Sequence, residues 1–198
     1  MTPPLPRLLV LTDRGQCTRP LTDVVAAAVD GGARAVVLRE KDLPDDERRR
    51  LADRLRGLLE PVDGVLVLAG LRLPGPAVHL AAADPVPAPR PALVGRSCHD
   101  AAEVRAATTN GCDWTTVSPL ATTASKPGHG PVLGLHGLAA LVEAGGPPAY
   151  ALGGVTPADV PGCLAARAYG VAVMGPVMRA EQPARLVAEY AAALEGAA

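Results

Sequence analysis

The chain is expected to fold as a single (β/α)8 barrel, and three observations carry that expectation. Eight short apolar runs alternate with helix-like segments along its 198 residues. Most of the runs are continuously apolar, as parallel strands buried on both faces should be. The first run ends Leu11-Thr12-Asp13-Arg14-Gly15, without the glycine-rich fingerprint that usually follows the first strand of an open, doubly wound sheet. Eight units in a chain of this length sit at the lower size limit of the barrel, about 200 residues.

The strands are predicted at 8–11, 35–38, 65–68, 77–80, 92–94, 114–117, 150–152 and 171–174. Helices are predicted between them. The first, 21–29, follows Pro20. The second, 44–59, opens with Asp45, Asp46 and Glu47 and carries arginines later, as the helix dipole favours. Segment 100–108 follows His99, and segment 135–143 is the next candidate. Segment 157–166 has Thr156 at a natural N-cap position, and 183–194 closes the chain. Two crossovers are worn. Gly70-Leu71-Arg72-Leu73-Pro74-Gly75-Pro76 has too much proline and glycine for a helix, and 84–90 is proline-rich. No linker or repeat divides the chain, so residues 1–198 are read as one barrel domain.

Composition narrows the partners. The net charge is −1, so no broad attraction to nucleic acid or anionic lipid is expected. No apolar run reaches the ~18 residues of a membrane span. Residues 1–7 show no signal-peptide pattern, and a cytoplasmic location is expected. Cys17, Cys98, Cys112 and Cys163 are scattered without a CxxC pair, which argues for idle thiols over a metal or disulfide framework.

Functional residues of this fold sit just after the strands. After the second come Arg39, Glu40, Lys41 and Asp42. If the strand continues, Arg39 and Lys41 share one face and suit a phosphate or diphosphate. After the fourth, Asp84 is a candidate Mg²⁺ ligand or a turn aspartate, and His79 lies within the strand itself. After the fifth, Ser97 and His99 alternate, with Ser97 a candidate ligand contact. After the sixth, a loop rich in hydroxyls and glycine carries Thr123, Ser125, Lys126 and His129. After the seventh and eighth come Gly153, Gly154 and Gly175, which let backbone N–H groups approach an anion at the usual phosphate site of the fold.

Taken in order, these segments resemble one family. Leu11-Thr12-Asp13-Arg14, Leu38-Arg39-Glu40-Lys41-Asp42, Val78-His79-Leu80 with Asp84, and Gly95-Arg96-Ser97-Cys98-His99 come first. Ser118-Pro119 with Thr123-Ala124-Ser125-Lys126-Pro127, Gly153-Gly154-Val155-Thr156-Pro157 and Gly170-Val171-Ala172-Val173-Met174 complete the set. Together they are similar to the thiamine phosphate synthase/TenI superfamily of (β/α)8 barrels, over nearly the whole chain. The resemblance implies a synthase joining hydroxymethylpyrimidine diphosphate to thiazole phosphate. Arg39, Lys41 and Lys126 would neutralise the leaving diphosphate, and Ser97 would contact the pyrimidine or diphosphate. Thr123 and Ser125 would bind the thiazole side, and Gly153, Gly154 and Gly175 would cradle its phosphate. Asp84 would hold Mg²⁺. A homodimer is expected.

The sequence departs from the family pattern in ways that matter. Val37 stands where a glutamine is usual. Ala69 and Gly70 stand where the family has Asn-Asp, a pyrimidine anchor and the second Mg²⁺ ligand. Gly175 replaces a serine. The alternatives are a TenI-type thiazole tautomerase, which needs no metal, and a non-catalytic binder of thiazole or thiamine phosphate. The tautomerase's histidine is Pro119 here, with His129 the nearest substitute. Other phosphate-binding barrels are a further alternative, and transferase chemistry is placed first.

Overall fold

The computed structural model describes residues 5–123 and 132–196. Eight parallel strands close into a barrel in sequence order: β1 (Leu8–Leu11), β2 (Ala35–Leu38), β3 (Val65–Ala69), β4 (Ala77–Leu80), β5 (Leu93–Cys98), β6 (Trp114–Val117), β7 (Ala149–Leu152) and β8 (Gly170–Val173). The circle is completed where Leu8, Leu9 and Val10 pair with Val171, Ala172 and Val173. The helices are α1 (Leu21–Asp30), α2 (Asp45–Leu59), α3 (Ala101–Thr109), α4 (Gly134–Glu143), α5 (Val160–Ala165), α6 (Gly175–Arg179) and α7 (Pro183–Gly196). The (β/α)8 reading stands. No described helix is long and apolar enough to cross a membrane.

The worn crossovers carry no helix, since 70–76 and 81–92 run as turns and coil. Two boundaries differ from the sequence reading. β5 runs on through Cys98 rather than stopping at Val94, so Ser97 lies on the strand. The residue that hid this is Arg96, which is 2% exposed. Its guanidinium donates to the carbonyls of Ala81 at 3.3 Å and Ala82 at 2.5 Å, under the segment where a crossover helix would otherwise lie. The second difference is α6, a short helix directly after β8 that the glycine and proline at its start concealed.

Strand alternation divides the core in two. One set of side chains faces the helices; the other, including Leu9, Leu11, Val37, Val67, Trp114 and Tyr150, fills the barrel. The chain has no phenylalanine and one tryptophan, so Trp114 is the main filler. Its indole lies against Gly95, where a Cβ would come within 2.1 Å of the ring. Above it stacks His79, with ring centroids 4.9 Å apart and planes within 10°. Below it Tyr150 stands edge-on at 5.7 Å, and the Tyr150 hydroxyl donates to the Leu5 carbonyl at 3.0 Å. A ring column thus runs along the barrel from the N-terminal segment to His79.

Gly95→Ala should therefore overpack the barrel. A loss of about 1–3 kcal/mol is expected, read as a lowered denaturation midpoint. An unchanged midpoint would show that the indole moves aside freely.

Candidate anion-binding active site

Alternation on β2 does not stop at its last residue. Ala35 and Val37 face the barrel interior, and Arg39 and Lys41 continue that face into a cavity at the C-terminal ends of the strands. The buried Thr12 Oγ1 fixes this turn by accepting the Arg39 N–H at 2.9 Å. Glu40 and Asp42 turn the other way, onto Arg14. Glu40, 3% exposed, accepts the Arg14 N–H and its Nη1 at 3.0 Å each. Asp42 takes both Arg14 nitrogens at 2.7 and 2.6 Å. Those hydrogen bonds hold the Asp42 carboxyl down to about 2 and raise Arg14 further above its ordinary value. One arginine thereby binds both acids of the Arg-Glu-Lys-Asp run and leaves its two cations facing the cavity.

The cavity measures about 480 Å³, within the range of small-molecule sites. Its floor is neutral. His79 Nε2 lies 3.1 Å from Thr116 Oγ1 and 3.4 Å from Ser97 Oγ. Burial, reinforced by Lys41 and Arg39, pushes the His79 imidazole down to about 3, so it is uncharged at neutral pH. His99 also lines the cavity, and its Nδ1 pairs with Glu103 at 2.9 Å.

The far wall comes from β7 and β8. Gly153 and Gly154 have φ of +97° and +71°. A Cβ on Gly154 would lie 2.8 Å from the Thr122 carbonyl oxygen, so these glycines seat the loop after β6 as well as opening the wall. Thr123 lines the cavity from that loop. Beside Gly175 lies a residue the sequence reading missed, Arg179 at the end of α6. Its guanidinium hydrogen-bonds the Gln16 side chain, and a Cβ on Gly175 would fall 2.5 Å from its Nη1. A side chain at position 175 would have to displace the Arg179 guanidinium or the Gln16 amide.

The structure thus brings together Arg39, Lys41, Ser97, Thr123, Gly153, Gly154 and Gly175 around one cavity. Ser125, Lys126 and His129 lie outside the described residues. Asp84 does not line the cavity. Its Oδ2 accepts the Ala81 N–H at 2.9 Å, closing a turn after β4.

The Mg²⁺ that the resemblance implies does not fit the donors present. Among the described residues no aspartate or glutamate lines the cavity, and no group of three His, Cys, Asp or Glu side chains could hold a metal ion. Mg²⁺ is normally held by at least one carboxylate. At Gly70, where the second ligand is expected, a Cβ would lie 3.5 Å from Lys41 Cε and 3.8 Å from its Nζ. A lysine occupies the neighbourhood of the missing acid.

Fold and site together define a (β/α)8 barrel with a cationic, ligand-sized cavity at the catalytic end of its strands. Residues 8–177 match the family model described as thiamine monophosphate synthase. A thiamine-phosphate synthase of Salinispora tropica is 33% identical over 204 residues, covering 96% of this chain and 98% of that protein. One from Moorella thermoacetica is 32% identical, covering 87% of each chain. The solved thiamine phosphate pyrophosphorylase of Pyrococcus furiosus superposes with a TM-score of 0.84 at 27% identity, over 96% of both chains. This chain belongs to the thiamine monophosphate synthase family.

A neutral buried His79 has a pH consequence. Its folded value, about 3, lies below the ordinary ~6.5, so the unfolded chain takes up the proton first and stability falls as pH drops from about 6.5 toward 3. The stability of the wild type minus that of His79→Gln should shrink as pH is lowered from 7.5 to 5 in urea titrations. A difference independent of pH would show that His79 is not held neutral.

Proposed function

We propose that this chain joins a hydroxymethylpyrimidine diphosphate to a thiazole phosphate and releases diphosphate. The observation that carries the reading is the layout of the cavity. Arg39 and Lys41 stand at one end, Gly153, Gly154, Gly175 and Arg179 at the other, and an uncharged floor lies between them. Two anionic reactants whose uncharged rings must meet require that layout.

As the C–O bond to the diphosphate breaks, both its electrons leave with the oxygen. Arg39 and Lys41, joined by Lys126 from the loop after β6, meet that growing charge, which is electrostatic stabilisation of the kind fixed donors supply best. The carbon left electron-poor sits over Ser97 and His79. Because His79 is neutral, it adds no repulsion to a cationic pyrimidine. The thiazole nitrogen donates its lone pair to that carbon, with the thiazole held by Thr123 and Ser125 and its phosphate by the glycines and Arg179.

The tautomerase alternative needs a positioned base with a value near the working pH. Of the histidines among the described cavity residues, His79 is pushed too low for this, and His99 is held by Glu103 through Nδ1, which leaves only its Nε2 to act. The loop position expected for a catalytic histidine is Pro119, and the placement of His129 is not described.

The test is formation of thiamine phosphate with matching diphosphate release from the two substrates. Lys126→Ala should abolish most turnover. Arg179→Ala should raise KM for the thiazole phosphate roughly tenfold to a hundredfold, as loss of a charged hydrogen bond does, with kcat nearly unchanged. Folded wild-type protein that makes no product would reject the reading for these substrates.

A further inference from the structure

We propose that the diphosphate is bound, and its departure stabilised, by protein cations alone, with the Lys41 ammonium taking the place of a metal ion over Gly70. This rests on the transferase reading above and concerns how that reaction is powered.

Three independent observations converge on it. First, the cavity lining has cations and no carboxylate: Arg39, Lys41 and Arg179 face it without an aspartate or glutamate. The segment 124–131, which lies outside the described residues, contributes none by sequence either, while it does contain Lys126. Near the β1 and β2 ends, Glu40 and Asp42 bind Arg14, while Asp13 bonds the Gln16 amide at 2.6 Å and the Gly15 N–H at 3.2 Å and stands 3.9 Å from Arg39. Mg²⁺ brought in by a diphosphate would find no protein carboxylate on the cavity wall.

Second, Gly70 lies directly beside Lys41. Its φ is +79°, and the nearest side-chain atoms to a Cβ there are Lys41 Cε and Nζ. Among the described residues, no carboxylate lies within 4.0 Å of that ammonium. An aspartate at position 70 would pair with Lys41 and cancel it. With glycine, the full charge of Lys41 faces the ligand.

Third, the use of lysine is selective. Of 19 basic residues only two are lysines, Lys41 and Lys126; the chain uses arginine everywhere else. Arginine and lysine are not interchangeable where a compact point charge must sit against an anion. A chain that otherwise uses arginine throughout keeps ammonium groups at the two positions assigned to the diphosphate. In the step itself the charge balances without metal. The C–O electron pair goes to the diphosphate oxygen, the thiazole nitrogen supplies the new bond, and the added negative charge is met by Lys41 and Arg39.

The experiment uses full-length protein freed of metal by chelation. Product formation from both substrates is compared in EDTA and in excess Mg²⁺, and binding of inorganic diphosphate is measured by calorimetry in EDTA. The expected result is equal turnover in the two conditions and diphosphate binding in EDTA that weakens roughly tenfold to a hundredfold in Lys41→Met. Lys41→Arg should recover part of it. Gly70→Asp, checked for folding by circular dichroism, should weaken binding in EDTA and make it respond to Mg²⁺. Turnover or diphosphate binding that appears only with Mg²⁺ would overturn the proposal. Diphosphate bound in EDTA with no product in either condition would overturn the transferase reading, and the release half of this proposal with it.

Discussion

A barrel of eight short parallel strands has to fill its own interior, and in a chain without phenylalanine that task falls largely to Trp114. The indole needs the bare backbone of Gly95 on one side and small side chains such as Ala35, Ala77 and Ala172 around it. What it supports is the site. The imidazole of His79 lies flat on the indole, which fixes the ring plane and aims Nε2 at Thr116 and Ser97. The same burial that packs the core keeps the imidazole uncharged. Core packing and site electrostatics are thus two effects of one stack.

The second organising element is the division of labour in Arg39-Glu40-Lys41-Asp42. Taken as a sequence, the run is neutral. Once folded, alternation sends its cations into the cavity and its acids onto Arg14. A buried carboxylate is costly unless it is paired and hydrogen-bonded, and Glu40 meets that condition with two bonds to one residue. Arg14 therefore matters to the anion site without touching it, because without Arg14 the two acids would be free to compete for Arg39 and Lys41.

The sequence made the barrel legible because parallel strands buried on both faces leave continuous apolar runs, and seven of the eight runs end within a residue or two of the strand. The exception, β5, was obscured by Arg96, since a charged residue normally argues against a strand interior. The crossover above Arg96 is coil, whose carbonyls accept from its Nη1, while Nε and Nη2 find no partner among the described residues. The pairing of Arg39 with Lys41 on one face was legible from period-2 alternation alone. Arg179 was not, because it depends on a five-residue helix and on the space that Gly175 leaves. Of the two readings open for Asp84, the structure shows the turn, with Oδ2 accepting the Ala81 N–H. The restriction of lysine to positions 41 and 126 was present in the composition and is the signal that would have ranked those two residues above the arginines.

The region that lost its crossover helices is also the region with the altered chemistry, and the two are linked physically. The coil of 70–76 and 81–92 flanks β4, and it leaves the carbonyls at the ends of β3 and β4 without a following helix. Two buried arginines take those carbonyls instead. Arg48, 1% exposed, donates from α2 to Leu38 at 3.1 Å and Ala69 at 2.5 Å, while Arg96 takes Ala81 and Ala82. Carbonyl oxygens at a strand end are the natural partners of a cation; once bound by guanidinium they no longer offer that. Each guanidinium also sets a fixed positive charge beneath the rim, in surroundings where charge acts more strongly than in water. The rim at β2–β4 consequently has several of its own acceptors occupied by arginine, and the side chains it turns into the cavity, Arg39 and Lys41, are cationic.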